Sequence, residues 1–234
     1  MGNQLHVKFT EEDLAALKEA LADMDKPVDL YLFIGSECLY CDDAVKVVKA
    51  LTQVAPEKPS TGKLLRVKVC FKERDEECFS KMRVERIPTI ALIEGYVRWT
   101  GTPAGEELKA LVETIIRISN GDSGLEEYTR RAIRERIIRP VKIETIVTPL
   151  CPYCPYAALL AHMFAYESWL SGRRLISSDV IEAYENMDIA YKYNVMTVPT
   201  IAINGNVEFV GVPYEDELLR RIIQRAGESR IRFM

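Results

Sequence analysis

Histidine is scarce: His6 and His162 are the only two in 234 residues. A hydrolytic triad or a His-rich metal centre would need residues the chain barely supplies. No stretch approaches the roughly 18–20 consecutive apolar residues of a membrane span. The start, MGNQLHVKFTEEDL, has no basic, apolar and cleavage-site segments in order, so the expectation is a cytoplasmic protein with no membrane contact. Neither charge sign dominates. Thirty-one Lys+Arg against 35 Asp+Glu leave a net charge of -4, which excludes a strong general attraction to nucleic acid or anionic lipid. Six cysteines are too few for the disulfide scaffold of a small secreted domain. With 48% hydrophobic and 28% charged residues, the chain is not a disordered or low-complexity protein.

Four of the six cysteines form two Cys-x-x-Cys pairs, Cys38/Cys41 and Cys151/Cys154. They are part of a longer repeat. Cys38-Leu39-Tyr40-Cys41 lies over Cys151-Pro152-Tyr153-Cys154, and Ile87-Pro88-Thr89-Ile90-Ala91 over Val198-Pro199-Thr200-Ile201-Ala202. Gly101-Thr102-Pro103 lies over Gly211-Val212-Pro213, and Glu107-Leu108 over Glu217-Leu218. The offset between copies stays almost constant, which indicates a duplicated domain rather than a solenoid.

Each copy reads as helix, strand, helix, strand, helix, strand, strand, helix. Thr10 with Asp13 caps a first helix carrying Leu14, Leu17 and Leu21. Val28 to Ile34 is an apolar run suited to a buried strand, and Ala44, Val45, Val48 and Leu51 recur at helical spacing. Leu64 to Phe71 is a second strand, Glu76 to Met82 a short helix, Thr89–Glu94 and Tyr96–Thr100 a hairpin about Gly95, and Gly105 to Ile118 a closing helix. Ser119 to Gly124 has linker composition, so the domains divide as 1–119 and 120–234. In the second copy the helices are expected at Leu125–Ile138, Pro152–Leu170 and Tyr214–Ala226. The strands are expected at Val141–Val147, around Val180–Tyr184 with Leu175 or Ile176 as an earlier start, and at Thr200–Ile203 and Val207–Gly211 about an Asn204-Gly205 turn. The fold class is α/β, two tandem units each with a mixed sheet flanked by helices.

A strand that delivers Cys-x-x-Cys to a helix N-terminus sets the first sulfur among unpaired N–H groups at the positive end of the helix dipole. Cys38 and Cys151 are therefore the candidate nucleophiles, and Cys41 and Cys154 the resolving thiols. Pro152 suits a helix start and Leu39 does not impose it, so the two sites should differ. The same spacing builds half of a zinc site, which makes a zinc-stabilised interaction protein the rival of another class. The pairs, however, lie much farther apart than the roughly 12–20 residues usual for such sites. Cys70 and Cys78 are either a third, structural disulfide or two buried thiols. His162 and the two tryptophans, Trp99 and Trp169, are expected to pack. The run Arg130, Arg131, Arg134, Arg136, Arg139, interleaved with Glu126, Glu127 and Glu135, is expected to be a solvated helix with ion pairs.

This order of elements, with Cys-x-x-Cys and Ile/Val-Pro-Thr in each copy, resembles the thioredoxin fold, and Cys151-Pro152-Tyr153-Cys154 is similar to the glutaredoxin motif. The doubling resembles the glutaredoxin-like protein disulfide oxidoreductases of heat-loving archaea and bacteria. That resemblance implies thiol-disulfide exchange on client proteins with no bound cofactor. It implies cis Pro88 and Pro199, with Ile87 and Val198 offering backbone hydrogen bonds to an extended client. Tyr40 and Tyr153 either shape the substrate-facing rim or cover the helix start. Thioredoxin reductase is the implied electron source, and an electron-donor module for a peroxiredoxin is the alternative within the class. The chain departs from thioredoxin in carrying Glu37 and Leu150 where Trp precedes the first cysteine, and Leu32 and Thr145 in place of the buried Asp. Glu37 and Glu144 are the neighbouring carboxylates. Gly211-Val212 replaces the Gly-Gly of glutathione-binding relatives, so a protein disulfide is the expected substrate.

Overall fold

The computed structural model describes residues 7–227; His6 lies outside them. The Thr10 hydroxyl accepts the Asp13 N–H and the Asp13 carboxylate accepts the Thr10 N–H, opening α1 (Glu11–Leu21) with a reciprocal cap. Such a cap satisfies two donors that the first turn leaves orphaned. There follow β1 (Val28–Ile34), α2 (Cys41–Val54), a short hairpin of β2 (Glu57–Lys58) and β3 (Gly62–Lys63), β4 (Leu65–Phe71), α3 (Glu76–Met82), β5 (Thr89–Leu92), β6 (Val97–Thr100) and α4 (Glu107–Asn120). The second copy gives α5 (Glu127–Arg136), β7 (Val141–Val147), α6 (Cys154–Leu170), β8 (Ile176–Glu182), α7 (Met187–Lys192), β9 (Thr200–Ile203), β10 (Asn206–Val210) and α8 (Glu215–Gly227).

Three local expectations are corrected. The first hairpin is shorter than its apolar run, because Ile93 and Glu94 adopt positive φ and form a 3-10 turn. Gly95 has a φ of 77°, and a Cβ there would lie 2.3 Å from the Met82 carbonyl oxygen. Ser119 and Asn120 belong to α4 rather than to a linker. Ser119 is buried, and its hydroxyl accepts the Asp25 and Lys26 N–H groups, so a residue of loop-forming type serves as a tether. The helix then stops at Gly121 in the left-handed conformation. Finally, Pro152 and Tyr153 lie ahead of α6, which starts at Cys154.

All the long strands join one eight-stranded sheet in the order β10-β9-β7-β8-β6-β5-β1-β4. Within each copy two strands run parallel and the hairpin is antiparallel. The copies meet where β6 pairs in parallel with β8, Val97 opposite Ser178 through Thr100 opposite Ile181. Every residue of β6 is buried as a result. Arg98 pairs with Asp179 across this junction at 3.2 Å, and the Thr100 hydroxyl donates to the same carboxylate at 2.8 Å. Breaking a buried pair of this kind by removing one partner typically costs about 3–5 kcal/mol, because the other charge is left uncompensated.

The helix α6 is apolar nearly all round, with Ala157, Ala158, Ala161, Phe164 and Ala165 buried. A helix without a polar face must be covered on every side, and α4 of the first copy supplies part of that cover. His162 is buried here, edge-on to Trp99 with ring centroids 5.8 Å apart and with Nδ1 2.9 Å from the Ser178 hydroxyl. It packs, and lies in the core between the copies. Arg134 pairs with Glu127 and Glu167, and Arg130 with Asp122, so the basic run does form ion pairs.

Burial, then the Arg98 charge, pushes the His162 imidazole down to about 3 from an ordinary 6.5. The unfolded chain therefore binds a proton below 6.5 that the folded one refuses, and stability falls by up to about 1.4 kcal/mol per pH unit as the pH drops from 6.5 toward 3. His162→Gln is expected to flatten the melting temperature against pH over that window. An unchanged slope would show that His162 does not carry the acid sensitivity.

Candidate active site

The strands β1 and β7 each end in a short loop that presents the first cysteine just before a helix whose first residue is the second cysteine. Tyr40 and Tyr153 occupy the cap positions, and neither side chain caps its helix. At the second site one first-turn N–H reaches sulfur: the Cys154 N–H lies 3.1 Å from Cys151 Sγ and is shared with the Cys151 carbonyl oxygen at 3.3 Å. A donor so placed, with the helix dipole behind it, favours the thiolate of Cys151 in the reduced state. Both pairs are joined as disulfides, with Cα–Cα distances of 5.5 Å for Cys38–Cys41 and 5.4 Å for Cys151–Cys154. Cys41, Cys151 and Cys154 are buried and Cys38 is half-buried.

The proline loops come to the cysteines in both copies. The Ile87–Pro88 and Val198–Pro199 peptide bonds are cis. The Val198 carbonyl lies 3.8 Å from Cys151 Sγ, and Ile87 abuts Gly35 in the loop before Cys38, where an added Cβ would stand 2.8 Å from its Cδ1. The loops after β6 and β10 border the prolines through Gly101 N–H to Pro88 oxygen and Gly211 N–H to Pro199 oxygen. Around Cys151 the rim is apolar and open: Leu150, Tyr153, Tyr156, Met196, Val212 and Tyr214 are all exposed, Met196 at 86% and Tyr214 at 78%. The sulfurs of Cys70 and Cys78 are also joined, between β4 and α3, with 6.4 Å between Cα atoms. Among the described residues no three His, Cys, Asp or Glu side chains converge in a metal-holding group.

The two sites differ in charge. In the first turn of α2 stand Asp42 and Asp43, where α6 has Pro155 and Tyr156. Acid groups here complement the helix dipole but oppose a neighbouring thiolate. Glu37 is exposed, and Glu73 holds the loop before Cys38 by accepting the Ser36 N–H and hydroxyl. Glu144 lies in β7, where Tyr193 and Lys142 donate to it. Burial opposes its ionisation, but those donors prevail and hold it below the ordinary carboxylate value.

The sequence reading missed a group of carboxylates where the copies meet. Glu107, in the first turn of α4, is 0% exposed and neither of its oxygens is hydrogen-bonded. Burial, then the charges of Glu182 and Glu185, push it well above 4.5, more than the nearby Trp99 indole N–H lowers it. Glu185 is pushed up to about 7, again mainly by burial. Glu107 served in the sequence only to mark the repeat with Glu217, since nothing local distinguishes an acid that the second copy will cover. A folded-state value above the unfolded one gives stability that is present below 4.5 and is lost as the pH rises. Glu107→Gln is therefore expected to stabilise the protein relative to wild type by an amount that grows from pH 4.5 to pH 8, read as melting temperature. A difference independent of pH would contradict a buried, protonated Glu107.

A model of the thioredoxin domain matches the chain twice, over residues 28–113 and 141–224. A thioredoxin of Methanocaldococcus jannaschii is 39% identical over 85 residues, 36% of this chain and 95% of the relative. Among solved structures, a protein disulfide oxidoreductase from Aeropyrum pernix K1 is 49% identical and superposes with a TM-score of 0.91, covering 94% of both chains. The N-terminal domain of alkylhydroperoxide reductase AhpF from Enterococcus faecalis shares the fold at 17% identity, with a TM-score of 0.78 over 92% of this chain and 100% of that one. Two halves of one sheet with the same topology, each carrying Cys-x-x-Cys and a cis proline, and two matches to one domain model agree: the chain belongs to the thioredoxin family, with the domain present twice.

Proposed function

We propose that the chain is a protein disulfide oxidoreductase whose working nucleophile is Cys151. The observation that carries this is the Cys154 N–H at 3.1 Å from Cys151 Sγ, in a helix whose first turn has no acidic residue. In the reductive direction the Cys151 thiolate attacks one sulfur of a client disulfide, and a mixed disulfide forms. The client's other sulfur leaves as a thiolate and takes a proton. Cys154, deprotonated, then attacks Cys151 Sγ, the second client thiolate leaves, and the Cys151–Cys154 disulfide holds the balance of two electrons lost. The oxidised pair runs the same steps backwards on a client dithiol, so the redox poise of the surroundings sets the direction.

The apolar rim suits a polypeptide client with apolar side chains near its cysteine, and the Val198 carbonyl beside Cys151 offers an acceptor to an extended client backbone. Ile87 and Pro88 with Tyr40 play the corresponding part at the first site, under this reading. The two catalytic units divide after α4, which ends at Asn120, and Cys70–Cys78 is a structural staple within the first. A flavin-containing thioredoxin reductase is the proposed electron source, and a peroxiredoxin a further recipient.

With dithiothreitol driving insulin reduction, Cys151→Ser is expected to lower the rate about tenfold or more, and Cys38→Ser to retain most of it. The opposite ranking would move the working nucleophile to the first site, and an inactive wild type would sink the assignment. Met196→Asp together with Tyr214→Asp is expected to raise KM for insulin severalfold with kcat nearly unchanged, since both side chains touch client and not the reacting sulfurs.

A further inference from the structure

The loop after β8 reaches out of the second copy into the first. Because β8 runs parallel to β6, their C-terminal ends arrive side by side, and the residues after Glu182 meet Gly101 and Thr102. Glu182 turns that loop back by accepting the Tyr184 and Glu185 N–H groups at 3.0 and 2.6 Å. Glu185 then accepts the Thr102 N–H at 2.9 Å, and Asn186 donates to the Thr100 carbonyl at 3.4 Å. Thr102 in turn donates its hydroxyl to the carbonyl of Tyr40, the residue before Cys41, at 3.4 Å. The approach is close enough to require glycine: a Cβ on Gly101 would stand 2.7 Å from Glu182 Cβ and 3.3 Å from Glu185 Oε2.

Among the described residues the second copy has no counterpart to this contact. Gly211 adopts the same φ, 100° against 101°, but a Cβ there would meet open space. Val212 replaces Thr102 and has no hydroxyl to donate, and it is exposed where Thr102 is buried. At the second site this loop is free rim; at the first it is already occupied.

We infer that Glu185 of the second copy is a positioning residue of the first active site: its carboxylate holds the Gly101-Thr102-Pro103 loop against the Cys38–Cys41 segment and sets a negative charge that disfavours the Cys38 thiolate. The inference rests on the reading of Cys38 as a nucleophile. It makes the first site the less reactive of the two and ties its reactivity to the presence of the second copy. The groups facing Glu185 are Glu182 at the end of β8, Glu107 on α4, and Asp43 on α2, the last paired with Lys46. Arg86, ahead of β5, contacts the neighbouring Asn186 and Asp188. Tyr40 reports that the charge reaches the Cys-x-x-Cys segment, since burial and then Glu185 and Glu182 push its phenol up.

The test uses the full chain, reduced, with Cys151 and Cys154 both replaced by serine, and follows alkylation of Cys38 by iodoacetamide from pH 5 to 9. Glu185→Gln keeps an acceptor for the Thr102 N–H and removes only the charge. It is expected to shift the alkylation profile to lower pH, giving about threefold more thiolate on the part of the rising limb above about pH 7, where Glu185 is ionised. In the reciprocal protein, with Cys38 and Cys41 replaced, the same change is expected to leave the Cys151 profile where it is. Glu185→Ala removes the acceptor as well and is expected to lower the melting temperature, where Glu185→Gln holds it. An unmoved Cys38 profile in Glu185→Gln, or an equal shift at both sites, overturns the role of Glu185. A Cys38 that fails to alkylate with a thiolate profile at all overturns the reading of the first site, and this inference with it.

Discussion

Four residues of β6 lying parallel against β8 hold the two copies in one piece, and most of what distinguishes the active sites follows from that pairing. A sheet edge presents unpaired backbone donors and acceptors. Joining the last strand of one copy to the outer strand of the next removes two such edges at once. It also forces polar side chains into the core. Arg98, Thr100 and Asp179 satisfy one another there, whereas Glu107 is covered with no partner for either oxygen. Burial in that position works against ionisation of the carboxyl, because an isolated buried charge costs far more than a raised pKa.

The same junction makes two homologous sites unequal. Each cysteine pair sits on the same scaffold, with a strand behind it, a helix ahead and a cis proline opposite. The second keeps its apolar rim open, and the first has its rim loop taken up by Glu185 and its helix start lined with Asp42 and Asp43. Thiolate chemistry responds to such charges directly: an anion nearby raises a thiol's pKa, and a helix N-terminus lowers it. Duplication followed by burial of one face therefore puts two copies of one motif in different surroundings, without any change in the four cysteines.

Much of this was legible in the residues. The runs Val28 to Ile34 and Val141 to Val147 became β1 and β7 at the expected bounds, because their apolar residues are covered by the core and only Asp29 and Lys142 are exposed. Asn204-Gly205 formed its turn with both residues at positive φ, as a two-residue hairpin requires. Failures came where tertiary contacts overrode local type. Ser119 and Asn120 look like linker yet finish α4, because the Ser119 hydroxyl has backbone partners 93 and 94 residues away. Ile93 looks like strand yet turns, since α3 closes over Gly95. Thr102 and Val212 looked like interchangeable loop residues, and only the arrival of Glu185 separates them.

Local sequence determined the two units, their element order, the cysteine pairs at helix starts and the prolines opposite them, since these depend on periodicity and on residues a few positions apart. How the copies are joined, which carboxylates are buried between them, and which of the two rim loops is covered were decided by the tertiary structure alone. Those properties depend on which sheet edge meets which, and strand pairing uses backbone groups that every residue carries, so no side-chain pattern announces it.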